Sequence, residues 1–389
     1  MTIAVQLTAA EEALGLALPH RRLEEWKWTD LRRLVSKPYR PHQAVAAAAG
    51  EVDRLLKASP FAAVAARRIV FVNGRLDAGH SHSKLLQPGR PESISEDPLA
   101  TLNEVLARES HRIVLDGAVD TPVEIIHVST AGAERALGTR VEVDVPAGGA
   151  ATLIETHVGE GDYLSNPLTL ITVGEGARLD RIKVERESGE ALHLSHVDVR
   201  LAKAARFNDF TLTSGARVNR QNGLVTFNGE GAEARVTGAY LLGGSQHADT
   251  RLVVDHRVPH CTSREVFKCV MDGHARGIFQ GKVIVQPDAQ KTDGKQSSHA
   301  LLLSETAEFD AKPELEIYAD DVVCGHGATS GDLNHDHLFY LMSRGIPEVQ
   351  ARAMLVAAFV GEVFDGVAHD GLREALVSYA ETWLISHKR

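Results

Sequence analysis

AATLIETHV at 150–158, ARLDRIKVE at 177–185, AARFNDFTL at 204–212 and AEARVTGAY at 232–240 are four strand-like runs, each opening on an alanine after a small-residue turn. Their first residues, Ala150, Ala177, Ala204 and Ala232, are spaced by 27, 27 and 28 positions. Cys261 of CTSREVFKCV and Ala289 of AQKTDGKQSSHALLL extend the series by 29 and 28. A steady interval in this range marks a solenoid, whose units bury their apolar faces only against one another. A β-sandwich also repeats strands between turns, but it gives no reason for a constant interval. Within the runs apolar residues alternate with occasional slips, as in Leu179, Ile182 and Val184 or Phe207, Phe210 and Leu212. Turns such as Gly174-Glu175-Gly176 and Gly229-Glu230-Gly231 separate two or more short strands per coil. The expectation is a mainly β chain with a right-handed parallel β-helix (solenoid) core.

The flanks read differently. Before the solenoid, Pro19 suits the first turn of a helix through RRLEEWKW, with Glu24 and Glu25 early in it. RRIVFVNGRLD then places Asn73-Gly74 between two apolar runs, the pattern of a tight hairpin. Pro88, Pro91 and Pro98 mark a loop ahead of a short helix over 102–108. Beyond Asp332 the pattern turns helical. Asn334 suits the N-cap of a helix through HLFYLMSR that Gly345 ends, and Pro347 opens a longer one. Val349, Ala353, Val356, Val360, Val363 and Val367 form its apolar stripe, and Leu372, Leu376, Tyr379 and Trp383 that of a last helix. The chain therefore divides into an α-rich, mixed region over 1–115, the β-helix over 116–331 and a small helical unit over 332–389.

Composition removes several function classes. Hydrophobic residues at 43% and charged residues at 24% are ordinary for a globular protein, and aromatics at 5% leave a narrow core to be filled by Val, Leu, Ile and Ala. A net charge of -10 speaks against phosphate-driven nucleic-acid binding. MTIAVQLTAAEEALG has no basic n-region and breaks its apolar run with two glutamates, unlike a signal peptide, and no stretch is long enough to span a membrane. Three cysteines, Cys261, Cys269 and Cys324, form no paired framework, so a reducing cytoplasmic setting is expected.

Cys324 and His326 form a C-x-H pair where the strands give way to helices. Thiolate and imidazole both bind iron, and positions i and i+2 of a strand share a face. Two ligands make an incomplete site, and from spacing alone a half-buried cysteine beside a hydrogen-bonded histidine accounts for the pair better than a metal site does. His256, His260, Cys261, Cys269 and His274 are dense in ligand atoms but match no zinc spacing. Asp320 and Asp321 are adjacent, so a strand would aim them at opposite faces. Gly294-Lys295-Gln296-Ser297 lacks the upstream glycine and the hydroxyl of a phosphate-binding loop, and no G-x-S-x-G elbow occurs. Catalysis within this chain is not expected. A carbohydrate-active β-helix enzyme is the alternative from another class, but the coils are poor in aromatics and no carboxylate ladder is legible, and a stand-alone iron-binding protein is a further alternative.

LEIYADDVVCGHGAT at 315–329, followed by LFYLMSRGI at 338–346, resembles the carboxy-terminal signature of the SufD family of the SUF iron-sulfur assembly system. The similarity extends upstream through HCTSREVFKCV, FQGKVIVQPDAQKTDGKQSSHALLL and FDAKPELEIYADD, and more weakly to EEWKWTDL and FVNG. The paralogous SufB family often carries a cysteine-rich amino-terminal motif and reads roughly HEAT where this chain has His326-Gly327-Ala328-Thr329, so SufD is the better match. The resemblance implies a non-catalytic scaffold whose β-helix pairs with SufB through its last strands and whose carboxy-terminal helices dock the ATPase SufC. It further implies that Cys324 and His326 are iron or Fe-S ligands at the SufB interface, with the transient cluster shared between subunits, and it allows Cys261 a sulfur-handling role. Flavin binding by the complex and homodimerisation of the isolated chain stay open.

Overall fold

The computed structural model of the chain describes residues 7–41, 47–90, 96–130 and 134–386. Pro91 and the first six residues of the amino-terminal stretch lie outside the described residues. Short strands β1 (Arg40–Pro41), β2 (Arg67–Val72), β3 (Arg75–Leu76), β4 (Leu86–Pro88) and β5 (Ser110–Val114) precede the long ones. These are β6 (Ala118–Ser129), β7 (Arg135–Val145), β8 (Ala150–Gly159), β9 (Tyr163–Val173), β10 (Arg178–Arg186), β11 (Leu192–Leu201), β12 (Arg206–Thr213) and β13 (Val218–Phe227). They continue with β14 (Glu233–Leu242), β15 (His247–His256), β16 (Thr262–Met271), β17 (Arg276–Val285), β18 (Asp293–Leu302), β19 (Glu308–Ile317) and β20 (Val323–Gly331). Helices α1 (Ala9–Leu14), α2 (Leu31–Leu34), α3 (Glu51–Lys57) and α4 (Pro98–Leu106) come before them, and α5 (His335–Ser343), α6 (Glu348–Phe364) and α7 (Asp370–Ser386) after.

Each coil of the parallel solenoid gives one strand to each of two sheets: β6 to β20 pair through the even numbers, β5 to β19 through the odd. Register runs from Ala150 to Arg178, Arg206, Glu233, Thr262, Asp293 and Val323, intervals of 28, 28, 27, 29, 31 and 30. The expected anchor Ala289 is therefore three residues early; the position equivalent to Cys261 is Thr292, because the turn after β17 holds more residues than the turns before β10 and β12. The strands are also longer than expected, most of them ten residues or so.

The slips of alternation have a physical cause. On the inner face of β10, Leu179 is followed by Arg181, Lys183 and Glu185, all buried, while Ile182 and Val184 face outward and are buried too. On β12, Phe207 points inward with Asp209 and Thr211, and Phe210 and Leu212 outward. The interior thus has two lanes. An apolar lane runs through Leu153, Leu179, Phe207, Val199 and Val225, and a polar lane through Glu155, His157, Arg181, Glu185 and His193.

The outward apolar residues need covers, and the flanks supply them. On the even sheet, Val356, Val360, Val363 and Phe364 of α6 and Leu372, Leu376 and Trp383 of α7 pack on Ile182, Phe210, Leu212 and Leu241. The stripe begins at Ala351, which is buried, and leaves Val349 exposed. It lies along a flank of the solenoid and not across its end. Asn334 caps α5 as expected, accepting from the backbone N–H groups of Asp336 and His337, and Gly345 is left-handed just beyond the helix. On the odd sheet, α4 and the segment around Trp26 play the covering role. RRLEEWKW forms only a single 3-10 turn, Glu24–Trp26, because sheet side chains claim its backbone. The Glu25 carbonyl accepts from Arg220 Nη2 at 2.9 Å, and the Arg220 guanidinium stacks 4.3 Å from the Trp26 ring. Asn73 and Gly74, both left-handed, turn the β2–β3 hairpin as the sequence predicts.

Candidate functional site

The final strand of the even sheet, β20, carries Cys324 and His326. Cys324 pairs in register with Gly294 and His326 with Gln296, so both occupy inward-facing positions, but among the described residues no strand follows β20 in the sheet. Cys324 is half-buried against the end of the apolar lane, and His326 is exposed. Burial pushes the Cys324 thiol up from its ordinary value, with the backbone at Gly294 working the other way. Among the described residues neither belongs to a group of three metal-ligating side chains.

Behind β20 the same two columns continue inward. Gly294 pairs with Ser263, whose hydroxyl meets His256 Nε2 at 3.1 Å, and Gln296 pairs with Glu265. Glu265 is 1% exposed, and burial pushes its pKa up to about 7, with the Ser263 hydroxyl and the Arg264 charge working weakly the other way. Sequence reasoning missed this residue: its neighbours Arg264 and Lys268 give it the look of a solvated charge.

The other sequence candidates do not converge. His256 is buried and stacks 4.2 Å from Phe227, and burial drops its pKa to about 4. His260 and His274 are exposed at turns, and Cys269 is buried beside Tyr240 and Met271, its thiol pushed well up by burial. Cys261 is buried under a turn, its Sγ 3.5 Å from the carbonyls of Gly229 and Pro259, and burial raises its pKa as well. Asp320 and Asp321 lie in the turn before β20. A ladder of carboxylates does exist, but inside the polar lane: Glu155, Glu185, Glu187 and Asp209 are all buried.

A family model described as "SUF system FeS cluster assembly, SufBD core domain" matches residues 127–359, which takes in the solenoid from the end of β6 through β20, then α5 and the first part of α6. This chain belongs to the SufBD family. The SufBD chain is 31% identical to the iron-sulfur cluster assembly protein SufD of Escherichia coli over 95% of its own length and 90% of that relative. It is 28% identical to a SufBD family protein of Synechocystis over 92% and 86% of the two chains. Against a chloroplast protein of Arabidopsis thaliana, ABCI7, it is 33% identical over 60% of this chain and 50% of that one. Its role is accordingly in iron-sulfur cluster assembly. Among the described residues no helix is long and apolar enough to cross a membrane.

Proposed function

We propose that this chain is the SufD-type scaffold subunit of a SufB–SufC–SufD complex in the cytoplasm, and that a nascent iron-sulfur cluster is built where its last coil meets SufB. The observation that carries this reading is the placement of Cys324 and His326 on a terminal strand whose outer edge has no partner among the described residues. An open edge accepts a strand from another chain through backbone hydrogen bonds, and each chain then contributes part of one ligand shell. The cluster is cargo, held long enough for transfer. A thiol with a raised pKa becomes a good ligand when a metal displaces its proton.

The helical unit over 332–389 is assigned to SufC docking. Phe339, Tyr340 and Met342 of α5 and Val349 and Met354 of α6 are exposed although α6 and α7 are otherwise committed to the solenoid. ATP-driven closure of SufC would pull on this unit, and α5 follows β20 after three residues, so the pull reaches the ligand strand directly. Any sulfur handling by Cys261 requires the turn that covers it to open.

Replacing His326 with Ala in the chain co-purified with SufB-like and SufC-like partners tests the site. The complex is expected to assemble with unchanged subunit counts while its yield of reconstituted cluster falls severalfold. Unchanged cluster yield removes His326 from the site.

A further inference from the structure

The buried polar lane holds a constellation that cluster building at β20 does not use. His127 on β6, His157 on β8 and Glu185 on β10 follow one another in register across the even sheet, with His193 of β11 approaching from the odd sheet. One ligand atom from each of His157, Glu187 and His193 lies within 4.8 Å of the other two, and all three residues are buried. We propose that these three side chains bind one divalent transition-metal ion inside the solenoid.

Both imidazoles are already set up as ligands. His157 Nε2 lies 3.2 Å from Glu155 Oε1, and its Nδ1 is buried with no hydrogen-bond partner. His193 Nε2 lies 3.0 Å from Glu185 Oε1, while its Nδ1 meets Glu187 Oε2 at 2.5 Å. His157 thus has one nitrogen on a carboxylate outside the trio and one unpartnered. His193 has Nε2 on Glu185 outside the trio, with Lys183 Nζ also 3.1 Å away, and Nδ1 on Glu187 within it. In both, an outer carboxylate sets the tautomer as it does for a metal-bound imidazole. An orphaned nitrogen in so buried a place is rare, and a metal satisfies it.

Charge points to the same trio. Glu155 is held by Arg181 at 2.8 Å and Glu185 by Lys183 at 2.5 Å, so both are balanced as outer partners. Glu187 makes its ion pair with His193 alone among the described residues. Once His193 gives up its proton to a metal, Glu187 is the carboxylate left to neutralise the ion. The other trio, His127, Glu155 and His157, is poorer, because Arg181 grips Glu155 and Thr139 takes His127 Nδ1 at 3.2 Å. Access exists: Glu187 lies one residue beyond β10, and Ser188, Gly189 and Glu190 of the following turn are half-exposed or exposed. Two imidazoles and one carboxylate suit Fe2+, Co2+ or Zn2+, and disfavour Mg2+ or Ca2+.

The test uses the full chain with Cys324→Ser and His326→Ala, which removes the β20 ligands and keeps this proposal separate from the shared site. Titration with Co2+ under anaerobic conditions is expected to give a single equivalent with visible d–d absorption, and X-ray absorption a first shell containing imidazole and no sulfur. Glu187→Gln should abolish the absorption, and Glu155→Gln should weaken binding by roughly 10- to 100-fold through loss of the outer carboxylate. Absence of binding by the double variant overturns the proposal, because the trio then serves as an ion-pair network only. Should Glu187→Gln fail to fold by circular dichroism, the X-ray absorption of the Co2+-loaded parent decides, and a shell without imidazole overturns it equally.

Discussion

Glu265 is where burial and charge conflict most openly. Its carboxyl keeps its proton up to about pH 7 in the folded chain, whereas an unfolded glutamate ionises near 4.5. Between those values the folded state binds more protons than the unfolded state, so this residue makes stability fall as pH rises through the window and level off above it. A displacement of that size corresponds to roughly 3 kcal/mol. Glu265→Gln keeps the shape and removes the titration. It should gain up to about 3 kcal/mol over the parent at pH 8 and much less at pH 5, read from urea unfolding at both. No gain at pH 8 would show that the carboxylate has a partner when ionised. The same residue shows what the sequence concealed. Cys324 and His326 stand out as candidates because a long local string carries them, whereas Glu265, Glu187 and His193 lie among alternating charges that look like a solvated strand face. Only the fold reveals that this face points inward.

At the scale of elements, the coil turns carry a signal that the strand openings only approximate. Gly148, Gly176, Ala204, Gly231, His260 and Lys291 all have positive φ, between 53° and 71°. They stack one per coil: the Gly176 amide donates to the Lys203 carbonyl, that of Ala204 to Glu230 and that of Gly231 to Pro259. Three of the six are not glycine, which hid the column, and a left-handed alanine is strained by about 1–2 kcal/mol. Ala204→Gly relieves that strain at a smaller cost in unfolded-chain entropy, so a net gain of about 1 kcal/mol is expected in chemical unfolding. A loss of stability would mean that the Ala204 methyl is held by packing, in spite of its backbone angle. The helical flanks were legible where caps and stripes repeat, as at Asn334 and Val360. RRLEEWKW was misleading because its helical periodicity competes with Arg220 and Gln280, side chains about 200 or more positions away, that hydrogen-bond the Glu25 carbonyl.

The two ends of the whole molecule differ. At the amino-terminal end the sheets finish in the short antiparallel strands β3 and β4, a means of blunting an edge. At the other end they finish in the long parallel strands β19 and β20, with Ile317, Tyr318 and Val323 41%, 61% and 62% exposed. Long edges beside exposed apolar side chains are templates for pairing, so without SufB the chain is expected to pair with itself there. Light scattering across a concentration series should show a monomer–dimer equilibrium for the isolated chain. Tyr318→Lys with Val323→Lys places cations on both copies of the seam and should shift it to monomer, leaving the circular dichroism of the solenoid unchanged. Addition of a SufB-like chain should replace the homodimer by a heterodimer, since one edge cannot serve two strands. A parent monomeric at every concentration, or a dimer indifferent to both lysines, would move self-association away from this end and weaken the assignment of the same edge to SufB.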